Sequence, residues 1–386
     1  MKRRTLSAIS MVMLFLLFAA AVRNRGNAQD VPQAFPPDIA AEIQAKMDNL
    51  TTSGLPPGMV VWIDAPGYRF EGASGLANLM DDAPMTPEGA FRIGSITKMF
   101  TATVILQLAE DGVLTLDDPL ALWLPDVADQ LPNGDQITLR HLLTHTSGLF
   151  NVVEHEAYWA DIFTQAVIDE DTGILTLACV QRDPHDTLAR YVYGKEANFE
   201  PGAGWHYSNT NYTLLGMVIE TAADMPLAEA YRTHIYEPLG MTSTFLDCYE
   251  DALIDVVHGY TLFEDATADL TELHESVGWS AGGLVSTAAD LIAFARGLFG
   301  GALFDGPESL AAMTTPAPGS SYGLGVVVQA DYVGHAGYIA GFRSQLSYAP
   351  AFDTVVVMLY NSDAADPEQS RADVMSPALS MLRAED

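Results

Sequence analysis

A serine followed three residues later by a lysine, Ser95 and Lys98, stands in the stretch Phe91-Arg92-Ile93-Gly94-Ser95-Ile96-Thr97-Lys98-Met99-Phe100. In a helix beginning near Ser95, that spacing puts the hydroxyl and the amine on one face, one turn apart. A serine hydroxyl becomes an effective nucleophile when a neighbouring base takes its proton. A lysine is such a base only where its surroundings keep it neutral. The apolar run Met99 to Leu108 supplies those surroundings, and a helix N-terminus offers backbone N–H groups to a developing oxyanion. Taken alone, the same pair also fits the first turn of an ordinary surface helix. The chain has only four lysines, Lys2, Lys46, Lys98 and Lys195, so a chance pairing at this spacing is less frequent than in a lysine-rich chain.

Two further stretches carry polar groups suited to the same chemistry. Glu200 to Tyr212 contains a Pro-Gly turn followed by Tyr207 and Asn209, which point the same way if the backbone there is extended. A tyrosine beside a lysine ammonium has a depressed pKa and can exchange a proton with a leaving group, and an asparagine amide can hold both the lysine and a substrate carbonyl. Gly334-His335-Ala336-Gly337-Tyr338 lies among strand-like residues, where glycine weakens the strand unless something approaches the backbone closely. Substrate along an edge strand would do so, with the Tyr338 N–H as an oxyanion donor. Either stretch by itself also reads as a structural loop or turn.

A competing signal is Gly278-Trp279-Ser280-Ala281-Gly282, which fits the G-x-S-x-G elbow of α/β-hydrolases with His335 downstream. That elbow needs a buried apolar strand before it, whereas Asp265 to Ser276 is acidic and polar. Ser286, Thr287 and Asp290 place the next helix start five or more residues later. No H-E-x-x-H or paired-cysteine motif occurs, and His155 and His185 sit among acids without ligand spacing. Neither a metal nor an organic cofactor is expected.

The elements that must position these groups follow from periodicity. Asp38 to Leu50 has a helical pattern; Met59 to Ile63 and Tyr68 to Glu71 read as strands joined through Pro66-Gly67. The chain is then mostly helix and loop to about residue 300, with 151–200 a variable excursion. Tyr322 to Gln329, Asp331 to His335, Phe342 to Tyr348 and Thr354 to Tyr360 read as an antiparallel meander, closed by a helix over about Ser370 to Arg383. Strands at both ends around a helical block predict one sheet built from the two termini and covered by helices.

The chain has 386 residues, enough for one large domain or two intimate subdomains, and Lys+Arg 18 against Asp+Glu 50 gives a net charge of −32. That charge argues against nucleic acid and anionic membrane surfaces as partners. Lys2, Arg3 and Arg4 precede an apolar run from Ala8 to Val22, and Ala19-Ala20-Ala21 or Gly26-Asn27-Ala28 offers a cleavage site. This predicts an export leader over residues 1–28 and a periplasmic or extracellular protein; Arg23 and Arg25 leave an uncleaved anchor as the alternative. Cys179 and Cys248 are compatible with a disulfide or with two free thiols. The sequence sets no oligomeric state.

Taken together, these stretches resemble the serine β-lactamase/penicillin-recognising superfamily, nearest to its D-alanyl-D-alanine carboxypeptidase, class C β-lactamase and related esterase branch. The resemblance rests on Ser95-x-x-Lys98, on His145-Thr146-Ser147-Gly148-Leu149, on Tyr207-Ser208-Asn209, on Ala281-Gly282-Gly283-Leu284 and on His335-x-Gly337, in that order over roughly residues 40 to 380. It implies an α/β (α+β) fold with an antiparallel sheet from both termini, flanked by helices, beside an all-helical region. The boundaries it suggests are 29–386 for the hydrolase domain, with sheet residues 35–90 and 300–386 and helical residues 91–299. By the same resemblance, Ser95 is the acylated nucleophile, Lys98 the proton acceptor and Tyr207 the group serving the leaving group and the deacylating water. Asn209 positions substrate and Lys98, His335 and Gly337 belong to the substrate edge, and the N–H groups of Ser95 and Tyr338 form the oxyanion hole. Ala336 stands where members commonly carry a threonine that contacts the substrate carboxylate, a departure that raises esterase or aminopeptidase-like specificity. The expected activity is hydrolysis of small amides or esters, carboxypeptidase-like first and ester hydrolysis second. A non-catalytic binding protein of the same fold is the third reading.

Overall fold

The computed structural model describes residues 32–52, 56–168, 175–263, 266–274 and 278–385; the expected leader, residues 1–28, lies outside them. After a two-residue strand, Gln33–Ala34, come helix α1 (Pro37–Thr52) and strands β1 (Gly58–Ala65) and β2 (Tyr68–Asn78). The middle of the chain includes β3 (Ala90–Arg92), α2 (Thr97–Glu110), α3 (Leu139–Leu143), α4 (Glu156–Gln165), α5 (Pro184–Tyr191), α6 (Asn209–Ala223) and α7 (Leu227–Tyr231). It continues through β4 (Phe245–Leu246), α8 (Trp279–Gly282), β5 (Leu284–Thr287) and α9 (Ala288–Phe299). The last part carries β6 (Val327–Val328), β7 (Val333–Ile339), β8 (Phe342–Ala349), β9 (Thr354–Tyr360) and α10 (Pro367–Glu385).

The main sheet has eight strands in the order Gln33–Ala34, β2, β1, β9, β8, β7, β6, with Ala83–Pro84 paired to β2. The two ends of the chain meet at the antiparallel β1–β9 pair, where Met59 faces Tyr360 and Asp64 faces Val355. Both strands are buried along their whole length, which explains their nearly continuous apolar sequences, Asp64 apart: each face of the sheet is covered. On one face Met59, Val61, Ile63, Val356 and Met358 pack with Ile43 and Met47 of α1 and with Val374 and Ala378 of α10. On the other, Val60, Trp62, Val355 and Val357 join the large core formed with the helices. The sheet from both termini is therefore as the sequence pattern predicts.

Helix α2 is buried almost all round, from Thr97 through Leu106, and so runs through the middle of the helical layer rather than over it. It stops at Asp111 and Gly112, the latter in the left-handed region at φ 71°. A second, three-stranded sheet, β3–β5–β4, fixes the chain just ahead of Ser95, with Arg92 opposite Val285.

Three segments differ from the sequence expectations. Only Val327–Val328 of the expected strand Tyr322 to Gln329 is a strand. The residues before it cross the helical layer, where Leu324 N–H donates to the Met313 carbonyl and Gly325 N–H to that of Leu143, so their backbone bonds are not spent on β7. The strand containing His335 starts at Val333 and runs on to Ile339. The excursion 151–200 holds α4, α5 and a short paired segment, Val167–Ile168 with Leu175–Thr176, and is tied to the core by a disulfide between Cys179 and Cys248.

Candidate active site

Ser95 lies in a single 3-10 turn, Gly94–Ile96, and α2 begins two residues later at Thr97, where the Thr97 hydroxyl donates to the Gly94 carbonyl at 2.7 Å. The turn is pressed against β7. Gly94 has φ 51°, and a Cβ there would stand 2.7 Å from the Tyr338 nitrogen. A Cβ on Gly337 would stand 2.0 Å from the Ile93 carbonyl oxygen and 2.2 Å from Ser344 Oγ. Glycine at 337 is thus required by the protein's own backbone, the close approach that the sequence pattern assigns to a substrate. These two contacts bring the backbone amides of Ser95 and Tyr338 to the same turn. β6 pairs with β7 only at Val333 and Gly334, so it does not continue along this part of the strand.

The side chains converge on Ser95 Oγ. Lys98 Nζ lies 3.0 Å from it, and the Tyr207 hydroxyl donates to it at 2.9 Å. Lys98 Nζ also donates to Asn209 Oδ1 at 2.7 Å and to the Ala281 carbonyl at 2.6 Å. Burial drives the lysine pKa well below its ordinary value, which favours the neutral amine. A neutral amine has two N–H groups and one lone pair. Two carbonyl-type oxygens take the N–H groups, which leaves the lone pair for the serine hydroxyl proton.

Tyr207 behaves differently from the expectation of a depressed pKa. Burial pushes its phenol well up, and the hydrogen bond to Ser95 offsets only part of that. The Lys98 amine stands over the ring face, 4.9 Å from its centroid, and the burial that lowers its own pKa weakens it as a cationic partner for a phenolate. Burial acts on the two groups in opposite directions, disfavouring the ammonium of Lys98 and the phenolate of Tyr207.

Asn209 is the first residue of α6, and Ser208 is its N-cap. Its orientation comes from Asn151, whose Oδ1 accepts from the Asn209 backbone at 3.0 Å and from Nδ2 at 3.4 Å. Tyr207 is packed by His145, whose ring centroid lies 4.3 Å away and whose Nδ1 accepts from the Ser208 N–H at 3.2 Å. Asn151, His145 and the Ala281 carbonyl were not singled out as site groups by residue type. The motifs His145 to Leu149 and Ala281 to Leu284 carry a signal for His145 and Ala281, whereas Asn151 lies outside both.

His335 is buried beneath the site. Its Nε2 is 2.8 Å from the Tyr322 hydroxyl and its Nδ1 is 2.5 Å from the Ala336 carbonyl. Burial lowers its pKa to about 3, so it brings no positive charge to the substrate edge. Across the strand pair, Arg343 faces Tyr338, with its guanidinium carbon 4.2 Å from that ring centroid and its Nε donating to the Asp363 carbonyl at 2.9 Å.

Ser280 of the competing motif donates to the Tyr212 carbonyl at 2.8 Å, deep in the core. Cys179, Asp247, Cys248 and His274 bring four donor atoms together. Their sulfurs are bonded to each other and Asp247 accepts from Arg92 at 3.0 Å, so the cluster is already satisfied.

Residues 42–379 match the family profile described as Beta-lactamase. Among curated relatives, the chain is 30% identical over 281 residues to PbpX of Bacillus subtilis, named for penicillin binding, covering 71% of this chain and 63% of that one. It is 34% identical over 216 residues to the esterase EstB of Burkholderia gladioli, covering 54% and 53%. It thus spans between half and two thirds of the length of these two relatives. Among solved structures, a D-stereospecific amidohydrolase from Streptomyces superposes with a TM-score of 0.75 at 30% identity, over 86% of this chain and 97% of that one.

Proposed function

The chain belongs to the β-lactamase family, and on that premise we propose that it hydrolyses small amides and esters through an acyl-enzyme on Ser95. Serine hydrolase of the β-lactamase/penicillin-binding-protein fold is its class; the residue roles and the substrate are our reading. The observation that carries it is the placement of Ser95 Oγ between Lys98 Nζ at 3.0 Å and the Tyr207 hydroxyl at 2.9 Å. As Oγ attacks the substrate carbonyl, its proton passes to the Lys98 lone pair. The oxyanion meets the N–H groups of Ser95 and Tyr338, where one donor contributes about 3–4 kcal/mol to the transition state. Tyr207 gives its proton to the departing amine or alkoxide and is reprotonated from Lys98. In deacylation the same groups take a proton from water and return it to Ser95 Oγ.

The first substrate reading is a carboxypeptidase-like amidase acting on peptides that end in a free carboxylate. Arg343 supports it, because its guanidinium lies against the Tyr338 ring of β7 and its Nε hydrogen bond goes to a backbone carbonyl, which does not neutralise it. Ala336 and the neutral His335 favour the second reading, ester hydrolysis. We also place the protein outside the cytoplasm, as the basic-then-apolar N-terminal sequence and the Cys179–Cys248 disulfide both suit an exported chain.

The test is labelling with a fluorophosphonate and a fluorescent penicillin. Both labels vanishing in Ser95→Ala and persisting in Ser280→Ala is the expected result. Phosphonate labelling without penicillin labelling selects the ester reading. An intact protein that takes neither label overturns both.

A further inference from the structure

Away from Ser95, toward the C-terminal end of α6, lies a cavity of about 780 Å³. That is within the range of small-molecule sites, roughly 300–1,000 Å³. Its position on α6 separates it from the nucleophile: Glu220, on its wall, is 11 residues past Asn209, about 16 Å along the helix axis. We propose that this cavity is a second binding site, for an organic primary ammonium carrying an aromatic or branched apolar side chain.

The lining is built for such a ligand. Met217 and Leu227 give an apolar floor, and Tyr249 and Trp279, with centroids 6.3 Å apart, give an aromatic wall. Glu220 is half-buried at one side, its Oε1 accepting from the Leu227 N–H at 2.9 Å. Asp183 lines the same cavity, and its charge acts on Glu220 in the unfavourable sense. Arg182 lies on the rim, but its guanidinium donates outward to Gln165 Oε1 at 3.0 Å, and His185 is exposed there. Asp183, whose Oδ1 accepts from the His185 N–H at 2.8 Å, and Glu220 give the same cavity two carboxylates beside its aromatic rings, and such a lining matches an ammonium, through ion pairing and cation–π attraction together. A ligand carboxylate would meet like charge, and the chain's net charge of −32 draws cations in general.

The wall opposite α6 is deliberately fastened. The Cys179–Cys248 disulfide and the Tyr249 hydroxyl, which donates to the Arg182 carbonyl at 2.8 Å, staple the 179–184 segment over the helix. This gives part of the 151–200 excursion a role that the Ser95 site leaves unexplained. It also joins the cavity to the Lys98 supports, since α6 begins with Asn209 and α8 carries both Trp279 and Ala281.

The experiment uses the full chain with Ser95 blocked by a fluorophosphonate, which removes binding at the nucleophile from consideration. 2-Phenylethylammonium is titrated by calorimetry and by tryptophan fluorescence, with 3-phenylpropionate as the anionic control. Saturable binding of the ammonium, at least about tenfold tighter than the anion, is expected. Glu220→Gln should weaken it by a similar factor, as should Ala228→Trp, which fills the cavity and serves if the first variant does not fold. Reduction of the disulfide should weaken it further. Absence of saturable binding, equal binding of the anion, or binding unchanged in the folded variants overturns the proposal. If phosphonate fails to label Ser95, the titration is run on Ser95→Ala, so the two readings fail separately.

Discussion

Lys98 donates a 2.6 Å hydrogen bond to the carbonyl oxygen of Ala281, a residue whose side chain has no chemistry to offer. With Asn209 Oδ1 at 2.7 Å, this bond uses both N–H groups of a neutral amine and aims the remaining lone pair at Ser95. A buried ammonium here would have no carboxylate among its hydrogen-bond partners. The fold around Lys98 thus favours its neutral form, through desolvation and two aimed acceptors.

The hydroxyl of Tyr207 is expected to act as an acid. Tyr207→Phe keeps the ring packed on His145 and removes only the O–H, so turnover should fall by about a hundred- to ten-thousandfold with the fold intact. Steady-state kinetics with amide and ester substrates check this. The loss should be smaller for p-nitrophenyl esters, whose leaving group needs little protonation.

Burial of Lys98 has a consequence for stability that differs in sign from an ion pair's. Unfolded lysine binds a proton below 10.5 and the folded one does not, so stability rises with pH between the lowered folded pKa and 10.5. In Lys98→Met that dependence is gone. The wild type should gain on the variant as pH rises through this window, by up to about 1.4 kcal/mol per pH unit. Denaturant titrations of both proteins from pH 6 to 10 measure the difference; parallel curves would mean that Lys98 is charged in the fold.

Gly337→Ala tests the contact between β7 and the Ser95 turn. A Cβ 2.0 Å from the Ile93 oxygen forces the strand away from the turn, which should destabilise the protein by about 1–3 kcal/mol. It should also lower kcat, because the Tyr338 amide moves with the strand. Thermal unfolding and turnover together give the answer, and a fully active, equally stable variant would count against the oxyanion arrangement.

Arg343→Gln distinguishes the two substrate readings. Under the carboxypeptidase-like reading, KM for a peptide with a free terminal carboxylate rises about tenfold or more, and p-nitrophenyl ester hydrolysis is unchanged. Equal effects on both substrates would remove Arg343 from carboxylate recognition.

What the sequence makes legible here is what depends on local geometry. The three-residue step from Ser95 to Lys98 and the apolar runs Met59 to Ile63 of β1 and Val355 to Tyr360 of β9 carry their meaning within a few residues, and the fold uses them as read. Other features depend on neighbours far along the chain. Ser280 fits a nucleophile string but is tied to Tyr212, and the segment before Val327 looks like a strand but bonds to Met313 and Leu143. The sign of the Tyr207 shift turns on burial, which residue types alone do not reveal. Pairing of Cys179 with Cys248 likewise needs the excursion to fold back, and two cysteines in a sequence leave it open.

The claim that matters most is that an uncharged Lys98 activates Ser95, and the rate of phosphonylation as a function of pH measures it directly. Intact-mass detection of the Ser95 adduct from pH 5 to 10, in wild type and Lys98→Ala, gives both curves. The wild-type rate should climb through an ionisation well below 10.5, and the variant should lack that step and react at least about a hundredfold more slowly. Equal rates with the same pH profile in the two proteins would contradict the account.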